Sequence, residues 1–445
     1  MLKSPLLKFP LLKSLQSALF FFLALLAAAS MWFFVDRILV GYQIADSAVH
    51  DRPRGNLSDL YPRWLGAREL LLRGRNPYSP EVTIEIQQGY YGRPLEASRP
   101  YDPKDQQGFV YPVYVVLLLA PLIGLPFHTV QIFFYWFLIG LTALSVPLWL
   151  LVLKWRLPWL AIATVIVLVL GSVPTAQGMK LQQLGLPVAA MIAGSAACIA
   201  SGWLFSGGAI LALATIKPQL VLPVTLWLLI WALSDWRTRR KLALGFAVTI
   251  AALLAGAEIV LPGWWRMFLE AIRQYHQYTQ NHSVLDELVN WSSGGFVGEI
   301  LALSAVPFAG ILLWRARREP PESREFGRAV ALVMALTVLI IPMYSPYNQM
   351  LLLPAILSLW RDRATFTSGS WAVRAVYALA VIALIWPWIA CIGLTVTWFV
   401  SHDAAFRNWQ TPFYSTFALP VVVFALALFN TQRAQDALRW RKAAE

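Results

Sequence analysis

Charge is what this sequence has least of. Only 13% of its 445 residues are charged, about half the share a soluble domain carries. A soluble chain so poor in charge would expose large apolar patches and aggregate. Cysteine is nearly absent too: Cys198 and Cys391 lie inside apolar runs, which excludes a disulfide framework and a Cys-based metal site. No Asp-x-Asp pair occurs anywhere, so no motif calls for a metal. The net charge of +13 does not indicate a nucleic-acid partner, because the bases sit in short loops between apolar runs, as in membrane proteins.

What is present is apolar length. Thirteen apolar runs follow one another, among them 16–40, 128–153, 184–201, 202–216, 218–234, 242–262 and 372–398. Several reach the roughly 20 residues that cross a bilayer core. Lys3, Lys8 and Lys13 precede the first run, and Asp36-Arg37 follows it in place of a small-residue cleavage site. The run therefore reads as a first transmembrane helix and not as a signal peptide. Segments 1–15, 154–157, 234–241, 315–328, 361–374 and 431–445 each carry two or three more bases than acids, whereas 41–109, 263–295 and 399–412 are near neutral. The positive-inside rule puts the first group in the cytoplasm and the second outside. Both termini are then cytoplasmic and the number of crossings is even. Run 110–126, broken by Pro112, Pro121 and Pro126, is expected to dip without crossing, which leaves about twelve spans. The expectation is an all-α integral membrane protein of the bacterial plasma membrane. Residues 1–445 form a single transmembrane domain, with large outer loops at 41–109 and 263–295.

Those outer loops have helical patterning. In 57–75, Ser58 or Asp59 can cap, Pro62 fits a first turn and Gly74 a stop. Trp64, Leu65, Leu71 and Leu72 recur at helical spacing, with Arg63, Arg68 and Glu69 off that face. This predicts an amphipathic helix on the membrane surface over 60–73. Segment 264–280 repeats the pattern with Trp264, Phe268, Ala271, Tyr275 and Tyr278.

Ionisable residues are almost absent from the apolar runs. A transporter or lipid flippase, the rival reading, would place such groups along a mid-membrane path. Polar side chains gather instead at outer helix ends and in outer loops, beside lipid. They form ordered motifs: Asp59-Leu60-Tyr61 leading into Leu72-Arg73-Gly74-Arg75-Asn76-Pro77-Tyr78; Phe109-Val110-Tyr111-Pro112; Gln182-Gln183-Leu184-Gly185; Lys217-Pro218-Gln219; Asn281-His282-Ser283; and Ser345-Pro346-Tyr347-Asn348-Gln349. In this order they resemble the GT-C class of membrane glycosyltransferases, and within it the polyprenyl-phosphomannose-dependent glycosyltransferase family 87. Val113 stands where the family has a second Pro, and Tyr347-Asn348-Gln349 follows Ser345-Pro346 where relatives often carry His or Asp after Ser-Pro. The resemblance implies a GT-C-type fold and inverting transfer of a hexose, mannose by family habit. The donor would be a polyprenyl-phosphate sugar and the acceptor a lipid or glycan at the outer face. No cofactor is implied, and membrane lipids are the other partners.

The chemistry agrees with those roles. A phosphate leaving group needs cations, and the acceptor hydroxyl needs a base within hydrogen-bond reach. Asp59 is the candidate base, although a helix cap is the plainer reading of it. Lys217, Arg63, Arg68, Gln183 and Tyr111 are candidates for holding the donor and its phosphate. Lys217 at a helix end would otherwise snorkel, and Arg63 and Arg68 would meet lipid headgroups. Asn281, His282, Tyr347 and Asn348 are candidates for the substrate pocket, against interhelical hydrogen bonding as the alternative for the two asparagines. Asp46, Asp51, Asp102 and Asp105 share the first outer loop and are expected to be solvated.

Overall fold

The structure is a computed structural model that describes residues 10–55, 58–279, 283–285, 297–341 and 345–444. Among these residues it is all-helical. Helix α1 (Pro10–Phe33) passes through a π-helical turn (Phe34–Leu39) into α2 (Val40–Val49). The first outer loop holds α3 (Leu60–Arg73) and α4 (Pro80–Tyr91). Run 110–126 forms only the short α5 (Val115–Leu119) and one 3-10 turn (Ala120–Leu122). Residues 115–122 rise about 12 Å, far less than the roughly 30 Å of a hydrocarbon core.

Then come α6 (Phe127–Val152), α7 (Trp159–Leu170), α8 (Val173–Lys180), α9 (Gly185–Ala200), α10 (Leu204–Leu213), α11 (Pro218–Leu233) and α12 (Trp236–Val260). Helix α13 (Trp264–Thr279) opens the second outer loop. The remainder is α14 (Val297–Ala316), α15 (Arg324–Ile340), a 3-10 segment (Pro346–Leu352), α16 (Leu353–Arg361), α17 (Arg363–Thr367), α18 (Trp371–Val400), α19 (His402–Arg407) and α20 (Ala418–Ala444).

Among the described residues, five helical stretches are long and apolar enough to cross a membrane: Leu15–Val49, Phe127–Val152, Trp236–Val260, Trp371–Val400 and His402–Ala437. The pair α7 and α8, bent by 56° at Gly171–Ser172, makes a sixth if it is one broken span. The chain is thus built into a membrane, but helix length accounts for five or six crossings, not twelve. The apolar runs of 184–234 become the shorter helices α9, α10 and α11, interrupted at Gly202 and at Lys217-Pro218. A sixteen-residue helix such as α9 rises only about 24 Å.

Helices α9 and α15 are buried around most of their circumference, as helices apolar on every side must be. They form the centre. Helix α9 lies against α6 and α10, and α15 against α14, α11 and α20. Helices α10 and α12 approach most closely where both are small: a Cβ on Gly208 would collide with the Leu242 carbonyl oxygen, and one on Gly245 with that of Phe205. Close backbone approach at glycine is how helices associate without a hydrophobic driving force.

Four of the basic segments, 154–157, 234–241, 315–328 and 361–374, converge on one end of the bundle. Arg239 donates to the carbonyls of Arg317 and Arg318, Arg361 to that of Leu153, and Lys154 to that of Ala200 (3.3 Å). Arg328 and Arg361 both hold Asp362, whose carboxyl these cations and Asn430 keep down at about 2 against the cost of burial. Helices α3, α4 and α13 lie toward the opposite end.

Helix α3 has the predicted bounds, and Gly74 ends it at φ 65°. The side it buries differs from the one the spacing picks out. Leu60, Trp64, Ala67, Glu69 and Leu70 are buried, whereas Leu72 is exposed. Glu69, placed on the polar face by the spacing, is 1% exposed and binds Arg73 and Arg75, both at 2.9 Å. Arg75 reaches on to Glu85 of α4 at 2.7 Å. The helix is therefore clamped between α5 and α4, and its buried acid is satisfied by two guanidinium groups. Helix α13 follows its pattern more closely: Trp264 is buried, Phe268 and Tyr275 are partly buried, and Arg266, Glu270 and Arg273 are exposed.

Candidate active site

The first outer loop is stitched to the turn between α8 and α9. The Asp59 N–H donates to the Leu181 carbonyl (2.8 Å), and the buried Ser58 hydroxyl donates to the Gln182 side-chain oxygen (2.6 Å). Gln182 holds a left-handed φ of 51°, and its amide donates to the Gln131 carbonyl at 2.6 Å. That turn presents the next residue, Gln183, to Asp59.

Asp59 does not cap α3, although it occupies the N-cap position. Its carboxylate accepts from the Gln183 side-chain nitrogen and, at 3.4 Å, from the Tyr90 hydroxyl. The Gln183 side-chain oxygen accepts from Lys217 Nζ at 3.1 Å. One amide therefore joins the acid to the cation. Lys217 stands where the chain breaks between a 3-10 turn (Ala214–Ile216) and Pro218 at the start of α11. It is 7% exposed, with its ammonium 5.0 Å from the centre of the Tyr347 ring. Asn348 is buried beside it, and its side-chain oxygen has no hydrogen-bond partner among the described residues. Gly185 admits both groups: a Cβ there would lie 3.4 Å from Asn348 Oδ1 and 3.5 Å from Lys217 Nζ.

Arg63 projects from the first turn of α3. It donates to the Asp59 carbonyl (2.6 Å) and lies over the Tyr111 ring at 4.5 Å, while its Nε is buried without a partner. Asp59, Arg63, Tyr111, Gln183, Lys217, Tyr347 and Asn348 all line one cavity of about 380 Å³, within the range of ligand pockets. Arg68 is not among them. It donates to the Ile123 carbonyl and lies over Trp64, bracing α3 against the 115–123 segment. Asn281 and His282 lie outside the described residues.

Burial pushes the Asp59 carboxyl above the usual carboxylate range, and Asp105 adds to that; Arg63, Lys217 and Tyr90 pull the other way. Desolvation of this kind prepares a carboxylate to take a proton.

The sequence reading missed three features. Asp105, expected to be solvated, lines the cavity with Gln107, and burial raises its carboxyl as well. Asp102 is also sequestered, held by Arg93 at 6% side-chain exposure. Tyr90 touches the Asp59 carboxylate from α4. The proximity of Asp105 to the Phe109-Val110-Tyr111-Pro112 motif was the one available signal.

No curated protein and no solved structure matches the chain. The model of glycosyltransferase family 87 matches residues 109–342, more than half of the chain and the stretch that carries Tyr111, Gln183 and Lys217. Asp59, Arg63, Tyr347 and Asn348 fall outside that range and join those residues through the geometry of the cavity. The chain belongs to glycosyltransferase family 87 and is a glycosyltransferase built into the membrane.

Proposed function

We propose that the protein transfers a hexose, mannose by resemblance, from a polyprenyl-phosphate donor to a lipid or glycan acceptor at the outer face of a bacterial plasma membrane, with inversion. The observation that carries this reading is the Asp59–Gln183–Lys217 chain within one cavity. A base and a cation held together are what transfer from a phosphate requires. Asp59 takes the proton of the acceptor hydroxyl as its oxygen attacks the anomeric carbon. The bond from that carbon to the phosphate oxygen breaks, and the electron pair leaves on the polyprenyl phosphate. Lys217 and Arg63 hold the phosphate and stabilise its added charge. Asn348, with its free acceptor, and Tyr347 adjoin the sugar. One carboxylate suffices for inversion, because no glycosyl-enzyme forms.

A lipid-linked donor is supported by a second, apolar groove of about 460 Å³ whose lining includes Gln349 and Met350, the residues that follow Tyr347-Asn348. Leu353, Leu384, Trp388 and Leu419 continue it between α16, α18 and α20.

For topology we propose the GT-C arrangement of about twelve crossings, with the short helices α9, α10 and α11 among them although each rises less than the roughly 30 Å of the hydrocarbon core. Both termini and the basic end face the cytoplasm. The convergence of the basic segments on one end supports this orientation. Labelling a Ser98→Cys variant that lacks Cys198 and Cys391 checks it: reaction only from the cytoplasmic side would reverse the assignment.

The deciding experiment for the chemistry is Asp59→Asn, assayed for transfer of radiolabelled hexose from polyprenyl-phosphate-hexose in nanodiscs. The amide keeps size but not basicity, so transfer should fall by about 10²–10⁴ with melting temperature little changed. An active Asp59→Asn protein removes Asp59 as the base. A parent protein that transfers from no polyprenyl-linked hexose returns the reading to a transporter.

A further inference from the structure

A second polar pocket, of about 510 Å³, opens between α2, the end of α4 and residues 100–104. It shares no lining residue with the candidate active site. Three of its side chains are basic, Arg52, Arg54 and Lys104, and one is acidic, Asp102. We infer that this pocket binds an oxyanion, a phosphate or carboxylate group carried either by a soluble molecule or by a lipid headgroup. Nothing in this site depends on the transferase reading.

Arg54 carries the assignment. Its Nε and Nη2 are buried, and neither has a hydrogen-bond partner among the described residues. These two nitrogens form one edge of the guanidinium, the edge that meets two oxygens of a phosphate or carboxylate side by side. Leaving a charged donor unmade away from water costs more than leaving a neutral one. Burial pushes the Arg54 guanidinium below its ordinary value, and the group that offsets this is Tyr90, not a carboxylate. The backbone fixes the residue in place: Gly55 runs at φ 78°, and a Cβ on it would collide with the Tyr90 ring. An anion entering the pocket meets this guanidinium, and a rotation of the side chain turns the unmade edge onto it.

The other charges leave room for the anion. Arg52 is held by Asp46. Asp102 is taken up by Arg93 and by the Glu96 N–H at 2.9 Å. Lys104 is exposed and has no ion pair among the described residues. Arg54 and Lys104 are therefore two cations without a carboxylate. Gln43 and Ser47, one turn apart on α2, add an amide and a hydroxyl that can donate to further oxygens. Tyr90 and Tyr91 form the wall toward the candidate active site. Both line the pocket, yet the Tyr90 hydroxyl reaches the Asp59 carboxylate at 3.4 Å and the Tyr91 hydroxyl the Asp105 carbonyl at 3.0 Å.

The test reads binding without turnover. The full chain in phosphatidylcholine nanodiscs is titrated with inorganic phosphate by calorimetry, as the parent protein and as Lys217→Ala. The second protein sets apart any phosphate held in the candidate active site, so failure of the donor reading leaves the measurement intact. Binding should persist in Lys217→Ala and weaken as salt rises. Arg54→Gln should weaken it by about tenfold to a hundredfold, the size of a charged hydrogen bond. Arg54→Lys should recover part, because it keeps the charge and loses the fork. Lys104→Glu, at an exposed position, should weaken it by about threefold or more and serves should Arg54→Gln fail to fold. Phosphatidylglycerol retained per protein after delipidation separates the two sources. A headgroup site loses that lipid in Arg54→Gln, whereas a site for soluble anions retains it equally in both proteins. A parent that binds no phosphate, or binding that vanishes in Lys217→Ala, would overturn the site. So would parental affinity in Arg54→Gln or, where that variant does not fold, in Lys104→Glu.

Discussion

The side-chain amide of Gln183 donates to the carboxylate of Asp59 across a separation of 124 residues. Its other atom accepts from Lys217, so the orientation of this one amide is set from both sides. Gln183→Leu should leave both charged groups without their shared partner and lower transfer by about 10–10². Gln183→Glu should act differently. It keeps the Lys217 contact but sets a second carboxylate against Asp59, and so moves the acid limb of the pH–rate profile upward. Steady-state assays of both variants across pH separate the effects. An unmoved limb in Gln183→Glu would show that residue 183 does not reach the reacting base.

Lys217→Ala should raise the KM for the polyprenyl-phosphate donor by about 10–10², because a charge-assisted contact to phosphate is lost in a buried place. Lys217→Arg should retain part of it. The measurement is donor titration at saturating acceptor, and a Lys217→Ala enzyme with the parental donor KM would refute the phosphate role.

The raised carboxyl of Asp59 has consequences for both rate and stability. A base must be ionised, so transfer should fall as pH drops through its folded-state value, which lies above the ordinary carboxylate range near about 4. Stability runs the other way. Between the unfolded and folded values the folded protein binds a proton that the unfolded chain releases, and the slope of unfolding free energy with pH is negative there. The contribution is full below the unfolded value and is lost as pH rises through the folded one. Melting temperature in detergent should therefore rise as activity declines on acidification, and Asp59→Asn should flatten the trend. Parallel pH series on parent and variant check both signs.

Gly66 and Gly74 of the first outer loop should respond to alanine for different reasons. A Cβ at Gly66 would run into the Phe109 ring, which is 1% exposed. Gly66→Ala should cost about 1–3 kcal/mol through overpacking, shift the Phe109-Val110-Tyr111 strip and reduce transfer. Gly74 meets nothing within 4 Å but holds a left-handed φ of 65°. Gly74→Ala should cost about 1 kcal/mol through backbone strain alone, with kcat little altered. Melting and kinetic measurements on the pair distinguish packing from strain.

Local signals were legible in the sequence, and tertiary ones were not. The bounds of α3, its Gly74 stop and the inward face of α13 follow from turn residues and period, although no side chain caps the start of α3. Asp59, Lys217, Gln183, Arg63 and Tyr111 were picked out by motif and do share the cavity. Asp105 was sorted with the solvated acids because burial there is imposed by α4 and α13, which sequence spacing cannot place. Arg68 looked equivalent to Arg63, yet five residues along a helix carry it to the Ile123 side. The twelve crossings came from counting apolar runs. A run describes composition, and runs 202–216 and 218–234, already parted at Lys217, form helices of only 10 and 16 residues that composition alone reads as full spans.

The first helical stretch is longer than a membrane is thick. From Leu15 to the π-helical turn it rises about 30 Å, matching the hydrocarbon core. Asp36 there is half exposed and binds Lys180 at 2.9 Å, at the end of α8 that carries the Gln182-Gln183 turn. The continuation to Val49 stands about 20 Å further out. On the proposed topology the Asp36–Lys180 pair falls at the outer waterline, close to the cavity. Lipids with longer acyl tails would raise that line against a fixed protein, at a cost of fractions of a kcal/mol per Å of mismatch. On the proposed reading, in which a lipid-linked donor meets its acceptor at this level, turnover in nanodiscs of graded acyl length should pass through a maximum.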